Sequence, residues 1–206
     1  MADRPLLLVS NDDGVDAPGV IALREALSTF ADVYTVAPQT EQSAKSHSIT
    51  LHHPLRFNEV EPRVWAVDGT PADCVYVGFF LKDLLPRPPD LVVSGINHGP
   101  NLGNDVHYSG TVAAAREGAL RGVPSIALSN SSSDMEGAAQ YAKRFCKQLL
   151  RVTQPSGQAV LLNINFPHVP PKGVRATRLG FRLYSDDVEV RDDPRGRHYL
   201  WIGGPG

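Results

Sequence analysis

One stretch decides the fold of this chain: Ser94-Gly-Ile-Asn-His-Gly-Pro-Asn-Leu-Gly-Asn-Asp-Val-His-Tyr-Ser-Gly-Thr-Val-Ala-Ala-Ala-Arg-Glu-Gly118. It continues from the apolar run at residues 90–94, which prolines bound upstream, and such a short β-branched run between breakers predicts a buried strand. A long loop of glycines and polar side chains follows, and residues 112–121 then have a helical pattern. A loop of this length inside a compact domain is usually functional.

Strands and helices alternate on both sides of this stretch. Residues 6–9 and 33–37 predict buried strands, and the helix between them is expected to be capped by Asp16 and to carry Pro18 in its first turn. We further predict a hairpin at residues 51–67, a helix from Thr70 to about residue 82, a strand at 124–129, a helix at 136–152 and a strand at 160–166. This alternation indicates an α/β fold with a doubly wound, mostly parallel sheet.

The composition changes after residue 170. Residues 175–181 are expected to form a strand, and a charged hairpin is expected at about residues 184–202. An isolated hairpin is marginally stable, so its apolar side chains need a partner surface. We therefore divide the chain into a catalytic domain, 1–170, and an extension, 171–206, through which we expect a homodimer or tetramer to form.

Composition and charge narrow the function classes. The net charge of −2 over 206 residues gives no basic footprint for a nucleic acid polymer. The two cysteines, Cys74 and Cys146, indicate buried thiols rather than a disulfide framework. The sequence shows no signal peptide and no apolar run long enough for a membrane span, so a cytoplasmic protein is expected.

Polar side chains follow several of the predicted strands. Asp12 and Asp13 are adjacent carboxylates that follow the first strand, and both can converge where the chain bends at Gly14. Asn97 can add an amide oxygen and Ser43 a hydroxyl at the same edge of the sheet. Such hard oxygen ligands suit Mg²⁺, Mn²⁺ or Ca²⁺. The alternative is a polar turn in which an aspartate only caps the next helix.

The helix start at Ser109-Gly110-Thr111 is a candidate anion site. Small residues there leave backbone N–H groups free, and the helix dipole favours negative charge. Gly110 is expected to allow close approach of a phosphate, so a branched side chain at this position should block phosphate while sparing the two carboxylates. The alternative is that Ser109 or Thr111 is only an N-cap, with the anion site at Lys45 and His47 instead.

Other cofactor classes find little support in the sequence. No H-x-x-x-H or C-x-x-C spacing indicates a zinc site, and no G-x-G-x-x-G follows the first strand to indicate a dinucleotide. A metal held by carboxylates beside an anion-binding helix start is the arrangement that phosphoryl chemistry needs.

The sequence resembles the SurE (survival protein E) nucleotidases, and the resemblance spans nearly the whole chain. The matching stretches are Ser10-Asn-Asp-Asp-Gly14, Ala37-Pro38 with Ser43 and Ser48, Gly69-Thr-Pro-Ala-Asp73, Ser94-Gly-Ile-Asn97, Asn101-Leu-Gly103, Asp105-Val-His-Tyr-Ser-Gly-Thr-Val-Ala-Ala-Ala115 and Asn163-Ile-Asn-Phe-Pro167. The resemblance implies a Rossmann-like domain with a C-terminal extension that subunits exchange. Family members usually continue beyond the segment Trp201-Ile-Gly-Gly204, so we expect this chain to be shortened relative to them.

The resemblance also implies a divalent metal, Mg²⁺ or Mn²⁺, with one ion per subunit and with Ca²⁺ as a possible occupant. It implies hydrolysis of nucleoside 5′- and 3′-monophosphates, and of short polyphosphate in some members. The metal ligands are expected at Asp12, Asp13, Ser43 and Asn97, the catalytic residues at Asn11, Asp12 and Asp13, and the substrate contacts at Lys45, Asn101, Ser109, Gly110 and Thr111. Asn11 is expected to orient the attacking water or the phosphate. The sequence leaves open an aspartyl-phosphate phosphatase with Asp12 as nucleophile and a nucleotide-binding module without turnover.

Overall fold

The computed structural model describes residues 4–152, 159–182 and 188–202. The strands are β1 (Leu6–Ser10), β2 (Asp32–Pro38), β3 (Phe57–Glu61), β4 (Val64–Val67), β5 (Leu91–His98), β6 (Ser125–Asn130), β7 (Leu161–Phe166), β8 (Val188–Asp192) and β9 (His198–Ile202). The helices are α1 (Pro18–Ser28), α2 (Pro71–Phe80), α3 (Asp105–Tyr108), α4 (Gly110–Leu120) and α5 (Met135–Leu149). None of the helices in these ranges is both long and apolar enough to cross a bilayer.

The first seven strands form one sheet in the order β3-β4-β2-β1-β5-β6-β7. All neighbours in it are parallel except β3 and β4, which form the antiparallel edge. The chain moves outward from β1 to β2 and β4, then returns to the other side of β1 with β5. The order reverses between β1 and β5, and α/β proteins bind ligands beyond the carboxyl ends of the strands at such a point.

Helices cover both faces of the sheet, because successive residues of the central strands point to opposite faces. Leu7 and Val9 of β1 pack with apolar side chains of α1 and α5, whereas Leu8 packs with those of α2 and α4. The strands are therefore apolar on both sides, as the short runs in the sequence predict. The predicted α/β, doubly wound, mostly parallel fold with a C-terminal hairpin is confirmed.

Most boundaries match the sequence-based predictions, but two predictions are wrong. Asp16 is exposed and does not cap α1, since the N-cap residue is Ala17 and no side chain caps it. A residue before proline prefers extended backbone, which places the helix boundary between Ala17 and Pro18. Residues 175–181 form no strand; they are exposed, and no neighbouring strand pairs with them among the described residues.

Two further features differ from prediction. β5 continues to His98, because after an irregularity between Ser94 and Asn97 it pairs again with β6, Asn97 opposite Ser129. The short helix α3 interrupts the expected loop. The predicted C-terminal hairpin is present as β8 and β9, whereas its expected first residues, 184–187, and the chain end at 203–206 lie outside the described residues.

Helix α1 approaches the sheet at a glycine. A Cβ atom on Gly19 would lie 1.9 Å from the carbonyl oxygen of Ile96, so only glycine lets the start of α1 lie against β5. This contact fixes the start of α1 next to the end of β5, where the order of the strands reverses.

We predict that Gly19→Ala destabilises the protein by at least about 2 kcal/mol, because the added methyl group collides with main chain. Helix propensity alone predicts the opposite sign, a gain of up to about 1 kcal/mol. Urea unfolding decides between them. Gly173→Ala is the matched control, since its Cβ would meet nothing within 4 Å. An unchanged midpoint for Gly19→Ala would show that α1 does not need this close approach.

Candidate active site

The predicted site residues collect at the carboxyl edge of the sheet, where the strand order reverses. The strand β1 (Leu6–Ser10) is directly followed by Asn11, Asp12 and Asp13. Asn97 is the second-last residue of the neighbouring strand, β5. The loop after β2 also reaches this edge, because the backbone N–H of Gln42 donates to the carbonyl oxygen of Asp12 at 2.7 Å.

The carboxylate of Asp12 lies against the first turn of α4. It is buried, and its Oδ1 accepts a hydrogen bond from the Thr111 hydroxyl. Burial raises the pKa of Asp12, and the Thr111 hydroxyl and the nearby backbone of Thr111, Asp12 and Gly110 oppose the rise. The helix start therefore stabilises a negative charge, and in this structure that charge belongs to Asp12.

Asp13 is more accessible than Asp12 and makes a longer contact. Its Oδ2 accepts the backbone N–H of His98 at 3.3 Å. Burial, and then the neighbouring charge of Asp12, raise the pKa of Asp13 to about 6. Raised pKa values mean that the ionised forms of these two adjacent carboxylates are destabilised, and a bound cation would stabilise both ionised forms.

Asn97 and Ser43, the other two predicted ligands, each carry a neutral side-chain oxygen. The Asn97 amide nitrogen donates to the carbonyl oxygen of Gly99 at 2.7 Å and to that of His98 at 3.3 Å, and neither bond uses the amide oxygen. The Ser43 hydroxyl donates to Glu41 at 2.7 Å and keeps its lone pairs. Across the described part of the chain, no group of three or more His, Cys, Asp or Glu side chains could hold a metal. Two carboxylates with an amide and a hydroxyl oxygen fit a hard divalent cation better than zinc.

The buried amide of Asn11 is only half satisfied. Its nitrogen donates to the carbonyl oxygen of Gly14 at 2.7 Å, while its oxygen is buried and has no hydrogen-bond partner among the described residues. Buried polar atoms without a partner are uncommon and call for an explanation such as a bound water or ion. This orphaned oxygen next to Asp12 suits the predicted function of Asn11 in orienting water.

The residues of the predicted anion site are already engaged. Ser109 caps α4 by accepting the N–H of Val112 at 3.1 Å, and Thr111 donates to Asp12. A Cβ atom on Gly110 would lie 2.8 Å from Cβ of Asp12 and 2.9 Å from Cγ of Pro71. The expectation that a branched side chain at position 110 would spare the carboxylates is therefore wrong, because it would displace Asp12 first.

The other two predicted substrate contacts differ from each other. Lys45 is exposed on the loop after β2; its carbonyl oxygen accepts the Ser48 hydroxyl at 2.9 Å, and its side-chain amine has no polar partner within the described ranges. Asn101 is buried in a network: its N–H donates to Asn165 at 2.8 Å, its side chain donates to Ser129 at 2.8 Å, and its carbonyl oxygen accepts from Asn163 at 2.9 Å. These bonds tie its loop to β6 and β7, and a contact of either residue with substrate stays a prediction.

Sequence reasoning missed Glu117. Its side chain is 3% exposed, although it lies in the middle of α4, and it pairs with His47 at 2.8 Å and with Arg121. The spacing from Gly110 through Ala113 and Ala114 to Glu117 places this carboxylate on a buried face of small residues. A glutamate at helical spacing from alanines that are expected to be buried indicates a buried carboxylate, and this pattern could have identified Glu117.

Comparison with known proteins connects this geometry to a family. The family model described as survival protein SurE matches residues 7–186. The 5′-nucleotidase SurE of Sorangium cellulosum is 56% identical over 207 residues, covering 98% of this chain and 80% of that protein. The 5′-nucleotidase SurE of Anaeromyxobacter dehalogenans (strain 2CP-C) is 55% identical over 203 residues, covering 97% and 78%. The crystal structure of SurE protein from Aquifex aeolicus superimposes with a TM-score of 0.80 at 41% identity, covering 97% of this chain and 82% of that one.

We predict that Asp13→Asn stabilises the metal-free protein above pH 6 and changes little below pH 4. A carboxyl whose folded-state pKa is raised from 3.8 to about 6 costs stability as pH rises through that window, and the amide removes the cost. After discounting for solvent screening, the gain should be roughly 1 kcal/mol. Thermal unfolding in chelator at pH 4 and pH 8 measures it. A variant less stable than the parent at pH 8 would show that Asp13 is not under electrostatic strain.

Proposed function

Because the chain belongs to the SurE family, we propose that it is a 5′-nucleotidase that hydrolyses nucleoside monophosphates to nucleoside and phosphate. The observation that carries the proposal is the pair of carboxylates, Asp12 and Asp13, at the reversal point of the sheet and beside the start of α4. Hydrolysis of 3′-monophosphates and of short polyphosphate belongs to the same proposal, since both present a terminal phosphoryl group.

Asp12 and Asp13, with Ser43 and Asn97, would hold one divalent ion per subunit, Mg²⁺ or Mn²⁺, and Ca²⁺ can occupy such oxygen sites. When bound, the ion lowers the pKa of a coordinated water and polarises the phosphoryl oxygens. The residues fit, because the donor set is hard oxygen and the pKa of Asp13 is already raised by burial and then by the charge of Asp12.

Water is the nucleophile that the contacts favour. Its oxygen attacks phosphorus while the bond to the ribose oxygen breaks, and the water proton passes to the products. The buried oxygen of Asn11, which has no partner among the described residues, would accept a hydrogen bond from that water. Asp12 is a poor nucleophile, because its carboxylate is buried and already accepts the Thr111 hydroxyl. Lys45, Asn101 and the α4 start at Ser109, Gly110 and Thr111 are the proposed contacts to substrate phosphate.

A panel of phosphate esters tests the proposal. Nucleoside 5′- and 3′-monophosphates, tripolyphosphate and p-nitrophenyl phosphate are assayed with Mn²⁺, with Mg²⁺ and with chelator. We expect turnover of the nucleotides that chelator abolishes and metal restores, and a loss of about 100-fold or more in Asp12→Asn and Asp13→Asn.

The outcomes of this panel separate the alternatives. Near-normal turnover in either variant would sink the assignment of that carboxylate to the metal. A phosphoryl group trapped on Asp12 would show that Asp12, and not water, is the nucleophile that attacks the substrate. Nucleotide binding without turnover would make the protein a binding module.

We also propose that residues 1–170 form the catalytic domain and residues 171–206 an extension for self-association. The hairpin of β8 and β9 exposes large apolar side chains, with Ile202 90% exposed and Leu200 61% exposed. A two-stranded hairpin does not bury such side chains on itself, and a second copy of the chain offers a matching surface. A cytoplasmic location accords with the free, buried thiols of Cys74 and Cys146.

We predict a homodimer or tetramer at micromolar concentration, measured by light scattering on the 206-residue chain. Replacing Leu200 and Ile202 together by Ser should shift the population towards monomer. Replacing the exposed Leu120 by Ser is the control, since Leu120 lies at the end of α4, outside the extension. A parent protein that remains monomeric at this concentration would show that the extension does not mediate self-association.

A further inference from the structure

The loop between β2 and β3 is held to the body of the protein at two places on either side of residues 43–45. On one side, the N–H of Gln42 donates to the carbonyl oxygen of Asp12 at 2.7 Å. On the other side, Ser46 donates through its N–H to the carbonyl oxygen of Tyr108 at 2.9 Å and through its hydroxyl to that of His107 at 2.7 Å. The three residues between these anchors include Ser43 and Lys45, a proposed metal ligand and a proposed phosphate contact.

The second anchor continues into the interior through His47. Nε2 of His47 lies 2.8 Å from Oε2 of Glu117, and the side chains are 20% and 3% exposed. Nearly buried carboxylates are rare unless they are paired, and loss of a partner leaves them unsatisfied. Arg121 holds the other oxygen, Oε1, through Nε at 2.8 Å. Each Glu117 oxygen therefore has its own partner, and only His47 comes from the distant loop.

The loop itself needs an external anchor. Ala44 and Ser46 both have φ of 56°, in the left-handed region that is unfavourable for residues other than glycine. A short segment with two such residues keeps its shape only while its contacts hold it. The bonds of Ser46 and His47 to the α3–α4 junction and to α4 supply that restraint at the end nearer to Lys45.

We propose that His47 is a positioning residue, which uses buried Glu117 as a fixed point on α4 to hold Ser43 and Lys45 in register with Asp12 and the α4 start. The inference rests on the proposed function, because the groups that it positions are the proposed metal and phosphate ligands. His47 touches neither metal nor phosphate in this proposal, so its loss should weaken binding of the ion and leave turnover at saturating metal nearly unchanged.

His47→Ala, His47→Gln and His52→Ala test this proposal. The glutamine keeps an N–H donor for Glu117, and His52 is an exposed histidine of the following segment that serves as the matched control. Mn²⁺ binding is measured by calorimetry, the stability of the loop by hydrogen exchange of residues 39–47, and turnover over a Mn²⁺ titration. Thermal unfolding of each variant in chelator reports global stability.

We expect His47→Ala to weaken Mn²⁺ binding by about tenfold, the effect of one lost charge-assisted contact, and to speed hydrogen exchange in residues 39–47. His47→Gln should recover most of the affinity, and His52→Ala should bind Mn²⁺ like the parent. Turnover at saturating Mn²⁺ should stay within about twofold of the parent in all three variants.

Parent-like Mn²⁺ affinity in His47→Ala would overturn the proposal. Equal weakening in the alanine and glutamine variants, with a common loss of thermal stability, would overturn it as well and leave His47 a structural residue. Failure of the proposed function looks different: the parent itself would not hydrolyse nucleotides, while the order of Mn²⁺ affinities among the variants would still report on His47.

Discussion

The contact between the Asp12 carboxylate and the first turn of α4 holds the site together. It joins the end of β1 to a helix that begins about a hundred residues later in the chain, and it offsets part of the cost of burying a charge. It also explains why Gly110 must be glycine: a Cβ atom there would overlap Asp12 on one side and Pro71, the start of α2, on the other. The end of β1, the start of α2 and the start of α4 therefore approach one another closely around Gly110.

The strands could be predicted because they are buried on both faces. Continuous apolar runs such as those of β1 and β5 have few alternatives in a chain that alternates with helical patterns. Prediction failed where tertiary pairing decides the structure. The continuation of β5 to His98 depends on pairing with β6 beyond an irregularity. Residues 175–181 have strand-like composition, but no strand pairs with them among the described residues. Asp16 failed for a local reason, because Pro18 fixes the helix boundary one residue later.

The location of the candidate site could also be predicted, whereas its hydrogen bonds could not. Topology places the ends of parallel strands at one edge, so residues that follow β1 and β5 must lie near each other. Whether a hydroxyl is available to a ligand depends on partners far away in sequence. Thr111 donates to Asp12, and Ser109 is used by its own helix as an N-cap. Glu117 escaped notice for the same reason, since one of its two partners, His47, is separated from it by 70 residues.

The charges of the site indicate that phosphate binding depends on prior binding of a cation. Two carboxylates whose pKa values are raised by burial repel a phosphate dianion, and the carboxylate of Asp12 lies against the start of α4 through the Thr111 hydroxyl. Without a cation, the charge of Asp12 therefore opposes the binding of phosphate at this helix start. A divalent cation held by both carboxylates would neutralise their two negative charges, so cation and phosphate should each strengthen the binding of the other. The chain's net charge of −2 offers no long-range attraction for a phosphate dianion in place of that cation.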